Sequence, residues 1–557
     1  MIHIHMSRLH HNQNPEPQLS TIHRQVTQFT FETQVLSPNN QNPKPLSSQV
    51  QLTNIKKEKT LLIMSYTTQK EQKESFVTGH SGTSTAEILL VCSAIPIGVF
   101  VVFAVHRSLR SFGMPALACN WKIQAFVEWM CLLLPMTLCQ TRLVDNDAAR
   151  LVLVLLAGSI ISFLFYFVTS STEKTMMVSE ECSLQFCRNL FTIYRSAIAY
   201  MTFIAILAVD FNVFPRRFAK TETSGCGLMD LGAASYVLSG AMCSKYARSG
   251  QYNCQSFWTS MKKSLPIIIL GCIRFLTTKG IEYQEHASEY GIHWNFYFTL
   301  ASISIIIPSI SYRNRKLVCC LFFVVTGIYQ LSLSNGLQEV IESYPRVIDN
   351  IDKDYRIYSI IVNAFAANRE GILGCIGYAA LYVTGEEISA YCIWSTVKAR
   401  FCNSKKNDDN MFMLEKSQSR LLEKSMGVRL QSTTFILWAL YYIITQLLSI
   451  SVSRRSANTS FIVWCLAVNV SILLSIYFVM IVFEAPTKMP LPIFLAVNRN
   501  GLVMFLLANL LTGAVNLTIN TLNTHDCAAT FIIFTYLLAI GIIALIFDKC
   551  LNITFKL

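Results

Sequence analysis

The sequence predicts an all-α polytopic integral membrane protein of about 13 transmembrane helices. Three observations carry this: hydrophobic residues make up 52% against 14% charged, mean hydropathy is +0.41, and apolar segments of spanning length recur along the chain. A soluble protein of 557 residues would form three or four domains, and this chain has too little charge to coat them. The composition also excludes a disordered scaffold, a collagen-like chain and a secreted disulfide domain. The 18 cysteines run from Cys92 to Cys550, mostly inside apolar stretches and without CxxC pairs, so they read as small core hydrophobes.

Residues 1–63 stand apart: they hold five of the ten histidines, many Gln and Asn, PEP and NPKP fragments, and no apolar run of spanning length. They read as a disordered extension. Met64, shortly before the first apolar run, reads as the start of the native protein. From Ala86 onward, segments of the length that crosses a hydrocarbon core give spans at 86–106, 123–141, 151–170, 195–210, 227–244, 264–281, 293–311, 317–334, 371–394, 432–452, 460–485, 501–520 and 528–548. Pro215 is expected to close the fourth span, and Gly225 and Gly227 to open the fifth. The sixth carries Arg274 and the ninth Glu386 and Glu387, the main charges expected within the spans. Long connections are expected at 336–370 and 395–431. No soluble catalytic domain is left, so any chemistry belongs at or within the membrane.

The net charge of +13 comes in short basic clusters between apolar runs, a pattern that orients helices and argues against a nucleic-acid partner. Alternate connections hold 25 Lys and Arg on one side and 12 on the other. The richer side is expected to face the cytoplasm. That places the amino terminus, with a short segment 64–85, across the membrane, and the tail 549–557 in the cytoplasm. The membrane domain is 86–548.

On the charge-poor side, Asp210-Phe-Asn-Val-Phe-Pro-Arg216-Arg217-Phe-Ala-Lys220-Thr-Glu222 places both signs of charge at a helix exit. A carboxylate at a helix carboxyl end opposes the macrodipole, and a feature that costs stability invites a functional explanation. The competing reading is an interfacial anchor in which Arg216 and Arg217 hold lipid phosphates and Asp210 pairs with one of them. A second cluster, Glu282 to Asn295, carries His286 and His293. They lie seven residues apart rather than at HExxH spacing, so no metal site is expected, and an aromatic belt competes with a headgroup site. Asn368-Arg369-Glu370-Gly371 and Asn498-Arg499-Asn500-Gly501 each enter a span and also read as capped helix starts. Nucleophile-elbow, Walker and dinucleotide motifs are missing. Cys226 beside the basic cluster reads as a structural thiol before an acyl carrier.

Five stretches resemble one family: KESFVTGHSGTS (73–84), DFNVFPRRFAKTETSGCGLMDLG (210–232), EYQEHASEYGIHWNFYFTLA (282–301), AANREG (366–371) and NRNGLVMFLLANLLTGAVNL (498–517). In this order they are similar to the inositol acyltransferases of glycosylphosphatidylinositol-anchor biosynthesis, the PIG-W family, over roughly residues 70–550. The resemblance implies transfer of a fatty acyl group, usually palmitoyl, from acyl-coenzyme A to the inositol 2-hydroxyl of glucosaminyl-phosphatidylinositol in the endoplasmic reticulum membrane, on its lumenal side. It implies Asp210 and Lys220 as the catalytic pair. Acyl-coenzyme A is then a co-substrate, with no resident cofactor, and the partners are the glycolipid and membrane lipids; no protein partner is implied. Arg216, Arg217, Glu222, His286, His293 and Arg369 are the expected substrate-binding set. The chemistry fits such a pair: a weakly acidic hydroxyl must lose its proton as it attacks, and the oxyanion that develops needs a cation. A polytopic secondary transporter of a small anionic or lipid-like substrate is the alternative. The lack of an internal repeat and the sparse charge within the spans weigh against it.

Overall fold

The structure is a computed structural model that describes residues 76, 79–142, 150, 153–154, 157–158, 160, 180–249, 257–280, 290–310, 315–346, 356–395, 411–483 and 489–555. The chain divides into two units, Met1–Glu71 and Gln72–Leu557, the first wholly outside the described residues. Residues Gln72–Leu557 form a helical bundle, and six of its described helices are long and apolar enough to cross a membrane.

In chain order the helices are α1 Thr85–Ser111, α2 Trp121–Glu128 running on through a wide turn to Leu138, α3 Glu180–Ala208, α4 Leu228–Met242, α5 Phe257–Gly280 and α6 Phe296–Ile310. There follow α7 Arg315–Ser332, extended to Ser343 past a kink at Asn335–Gly336, α8 Arg356–Ser389, α9 Met411–Tyr442, α10 Thr459–Val482, α11 Pro492–Arg499, α12 Gly501–Thr518 and α13 Asp526–Leu545. Twelve of the thirteen expected spans coincide with helices; the 151–170 span lies largely outside the described residues.

Three expectations about extent are corrected. The helix of the fourth span begins at Glu180 rather than at 195, so Arg195 lies within the helix and not at its start. The expected loops 336–370 and 395–431 are partly helical, because α8 starts at Arg356 and reaches its span past a kink at Asn368, and α9 starts at Met411 and runs directly into its span. Pro215 does not end α3. That helix stops at Ala208, and Pro215 starts a short turn, Arg216–Phe218.

Burial sorts the helices by role. α10 is apolar all round and buried over most of its length, with Trp464, Cys465 and Leu473 at 0% exposure, and opens only in its last turns at Phe478 and Val482. Only a position surrounded by other helices suits such a surface. It meets α3 through Tyr194, whose hydroxyl donates to Asn469 Oδ1 at 2.8 Å. By contrast only 17% of the apolar windows of α7 and α12 is buried, so their apolar faces are turned to the bilayer. α11 is a short buried helix. Its first amides, Ile493 and Phe494, donate to the Glu128 carboxylate at 2.7 and 2.8 Å, and Ser196 donates to the Phe494 carbonyl at 2.7 Å. A helix this short at membrane depth satisfies its free amides with a buried carboxylate.

Candidate functional site

The Asp210 loop begins where α3 runs out. Phe211, Phe214 and Phe218, all at 0% exposure, turn the chain inward and plug it into the end of the bundle. The loop is therefore a packed element, and the charged residues between the aromatics are held at fixed places. Asp210, half-buried, accepts a hydrogen bond from Asn516 Nδ2 of α12 at 2.7 Å. Arg216 donates to the carbonyls of Phe211 at 2.9 Å and Phe214 at 3.1 Å, and lies 3.9 Å over the Phe76 ring. Burial, followed by the nearby Arg142, brings the Arg216 guanidinium down to about 10, while the Asp210 charge pulls the other way. Lys220, also half-buried, leaves the same turn two residues after Phe218.

Arg217 turns to α1. It grips Glu87 with Nε at 3.0 and 3.1 Å and a terminal nitrogen at 2.8 Å, a bidentate pair. Arg150 joins the same carboxylate at 2.9 Å, and Thr83 Oγ1 donates to it. Glu222 donates its backbone N–H to the His80 carbonyl at 3.3 Å. Thr83 N–H donates to the Cys226 carbonyl at 2.7 Å, which sets 79–84 alongside 222–227. The approach is close enough that a Cβ on Gly225, at φ +130°, would lie 2.0 Å from the Ser81 carbonyl oxygen. Cys226 is buried near the hydroxyls of Thr85 and Tyr441, both at 3.8 Å, and burial pushes its thiol up.

The far side of the loop is pinned by the 449–458 turn. Arg454 pairs with Asp230 at 2.7 Å, and Asp230 also accepts from the Thr221 hydroxyl at 2.8 Å and the Gly227 amide at 3.0 Å. The next residue, Arg455, reaches a different carboxylate, Glu370, at 2.9 Å, which Arg346 also holds at 2.7 Å. Arg369 is buried beside them and donates to four carbonyls, those of Ile341, Tyr344, Pro345 and Ala366. His293 is exposed; its amide donates to Asn368 Oδ1 at 2.8 Å and its ring meets Phe275 edge-on. His286 and its neighbouring glutamates lie outside the described residues.

The structure thus places Asp210, Arg216, Arg217, Lys220 and Glu222 on one packed loop, and joins that loop through Arg454–Arg455 to the cluster around Arg369 and Glu370. Connections expected on the charge-poor side meet here: Arg142 N–H donates to the Val213 carbonyl, Asn212 to that of Leu522, and Gly225 N–H to that of Val452. Sequence reasoning missed Glu87, Asp230, Arg454, Arg455 and Asn516. Glu87, Glu128 and Asp230 also correct the expectation that charge within the spans is mainly Arg274, Glu386 and Glu387. The available signal was a carboxylate inside an apolar run, and an arginine pair on a side otherwise poor in charge.

Comparison with known proteins covers the whole region that carries these motifs. The sequence pattern of the GWT1 family matches residues 69–547. The chain belongs to the GWT1 family. It is 31% identical over 529 residues to GPI-anchored wall transfer protein 1 of Gibberella zeae, covering 88% of this chain and 99% of that one. The protein of the same name from Kluyveromyces lactis is 31% identical, with 86% and 96% covered. The Dictyostelium discoideum phosphatidylinositol-glycan biosynthesis class W protein is 28% identical, with 87% and 99% covered. In this GWT1-family chain the matched region contains every motif quoted above and all of the described bundle except its last residues.

Proposed function

We propose that this chain transfers a fatty acyl group, palmitoyl by family resemblance, from acyl-coenzyme A to the inositol 2-hydroxyl of glucosaminyl-phosphatidylinositol, in the endoplasmic reticulum membrane. The observation that carries this reading is the Asp210 carboxylate, half-buried at the end of the bundle, held by Asn516 and sharing its packed loop with Arg216 and Lys220. Asp210 takes the hydroxyl proton as the oxygen forms its bond to the thioester carbonyl carbon. Lys220 stabilises the oxyanion. The carbon–sulfur bond then breaks, and the departing thiolate recovers a proton from the Asp210 carboxylic acid. No covalent enzyme intermediate is required, in keeping with a buried Cys226 thiol pushed away from ionisation.

Arg217, with a third of its side chain exposed, and Glu222 and His293 are assigned to the glycolipid headgroup, with His286 as a further candidate. Arg216 contributes its charge beside Asp210. Arg369, engaged by four carbonyls, supports the turn that carries Glu370. The loop face is assigned to the lumen, with the amino terminus lumenal and the carboxyl terminus cytoplasmic, on the charge bias of the connections.

The test is complementation of cells lacking inositol acylation, with glycolipid products read by mass spectrometry. Asp210→Asn keeps shape and most hydrogen bonding but removes the proton acceptor, so turnover should fall about 100-fold or more at equal protein level. Near-normal acylation would remove Asp210 from the mechanism. Loss of abundance instead of turnover would support the interfacial-anchor role.

A further inference from the structure

Two arginines are anchored to one short arc of the Asp210 loop. Arg216 reaches it by its side chain, donating through Nε to the Phe214 carbonyl and through Nη2 to that of Phe211. Arg142 reaches it by its backbone, whose N–H donates to the Val213 carbonyl at 2.6 Å. The chain leading from α2 to Arg142 passes through Gln140 and Thr141, both buried, and Thr141 Oγ1 donates to the Leu138 carbonyl at 2.9 Å. The backbone of Arg142 is thus fixed against the loop. Its side chain is exposed, with no hydrogen-bond or ion-pair partner among the described residues.

An exposed arginine just beyond a span is by itself ordinary. What sets Arg142 apart is the charge it faces. Burial first, and then Arg142, bring the Arg216 guanidinium down while Asp210 opposes them, so both charges act on Arg216 from close by. Arg216 also keeps one donor idle, because its Nη1 is buried without a hydrogen-bond partner. Two guanidiniums on one arc repel each other, Asp210 alone does not neutralise both, and a buried N–H without an acceptor costs free energy. An anion held between the two arginines offsets all three.

We infer that Arg142 and Arg216 together form the subsite for the phosphodiester of the inositol lipid, which makes Arg142 a binding residue for that substrate. The inference rests on the acyl-transfer reading and deepens it. The acceptor hydroxyl of that reaction sits on the ring carbon next to the one that carries the phosphodiester. A base at Asp210 reaches the hydroxyl only when the phosphate is lodged at the same end of the loop, where the 211–214 arc and the two arginines meet. A phosphodiester presents two charged oxygens, which suits a pair of guanidiniums. Arg217, the other arginine of the loop, already has its fork on Glu87 and is left to the rest of the headgroup.

The test uses the full-length chain in a phosphate-free glycoside detergent, with binding read as thermal stabilisation by inositol 1-phosphate, glycerol 3-phosphate and inositol, each alone. Inositol 1-phosphate should stabilise the parent chain and inositol should not. Arg142→Gln should weaken inositol 1-phosphate about 10-fold or more, and Arg142→Lys should keep part of its effect. Because the Arg142 side chain is exposed, the melting temperature without probe should match that of the parent. In acyl-transfer assays Arg142→Gln should raise the KM for glucosaminyl-phosphatidylinositol far more than it lowers kcat, with the KM for the acyl donor unmoved. An unchanged response of Arg142→Gln to inositol 1-phosphate would overturn the subsite. So would equal stabilisation by glycerol 3-phosphate and inositol 1-phosphate, lost together in Arg142→Gln, which would make the pair an anchor for bulk phospholipid. The binding measurements need no turnover, so they judge the subsite even if the chain proves inactive as an acyltransferase.

Discussion

At the scale of single residues, Asp210 and Lys220 would act on one transition state, so their effects should not add. The double variant should be scarcely slower than the worse single one. Lys220→Arg, which replaces a compact ammonium with a broad fork, should be partly active and Lys220→Ala severely impaired, both read as acylated glycolipid at matched protein level. Asn516 should act through Asp210 rather than on substrate. Asn516→Asp would set a second carboxylate beside the first, and a like charge raises a carboxyl's pKa. The acidic limb of the pH–rate profile should therefore move to higher pH, whereas Asn516→Ala should lower kcat with a smaller shift. A profile unmoved in Asn516→Asp would remove Asn516 from that role. Cys226→Ala should keep turnover within about tenfold of the parent, since loss of a true nucleophile costs orders of magnitude more.

At the scale of elements, the loop depends on how closely 79–84 approaches 222–227. Gly225→Ala would place a methyl group against the Ser81 carbonyl at a positive φ. Backbone strain of that kind alone costs about 1–3 kcal/mol, so melting temperature in detergent and cellular abundance should both fall. Gly501→Ala, with open space around its Cβ, should leave both near the parent values and serves as the control. The same elements show what sequence can convey. Spans were legible because spanning length and hydropathy are local properties, and the Asp210 loop was legible because its charges are contiguous. The early start of α3 was not, because polar residues in its first turns resemble a loop. α11 was missed because eight residues are too few to register as a span. Glu87, Arg454, Arg455 and Asn516 were invisible as site neighbours because folding alone brings them to residues 85 to 306 positions away.

At the scale of the whole molecule, connections that alternate along the sequence gather at one end around the Asp210 loop, while Arg499 and Asp548 pair at the other. Single cysteines at Thr223 and Ser249, both exposed, should distinguish the two faces in a background without the exposed native thiols. In sealed microsomes an impermeant reagent should reach Ser249→Cys from outside and Thr223→Cys only after permeabilisation. Labelling in the reverse order would invert the proposed orientation.

The Arg454–Asp230 pair also bears on how the protein is made. α4 is synthesised more than two hundred residues before the guanidinium that neutralises its buried carboxylate, and α10, the helix around which the others close, follows later still. A nascent chain therefore carries Asp230 into the bilayer uncompensated until the tenth helix is about to emerge. Assembly of the bundle is a late event, and premature termination anywhere before residue 454 should yield a product that membrane quality control recognises by its orphaned charge.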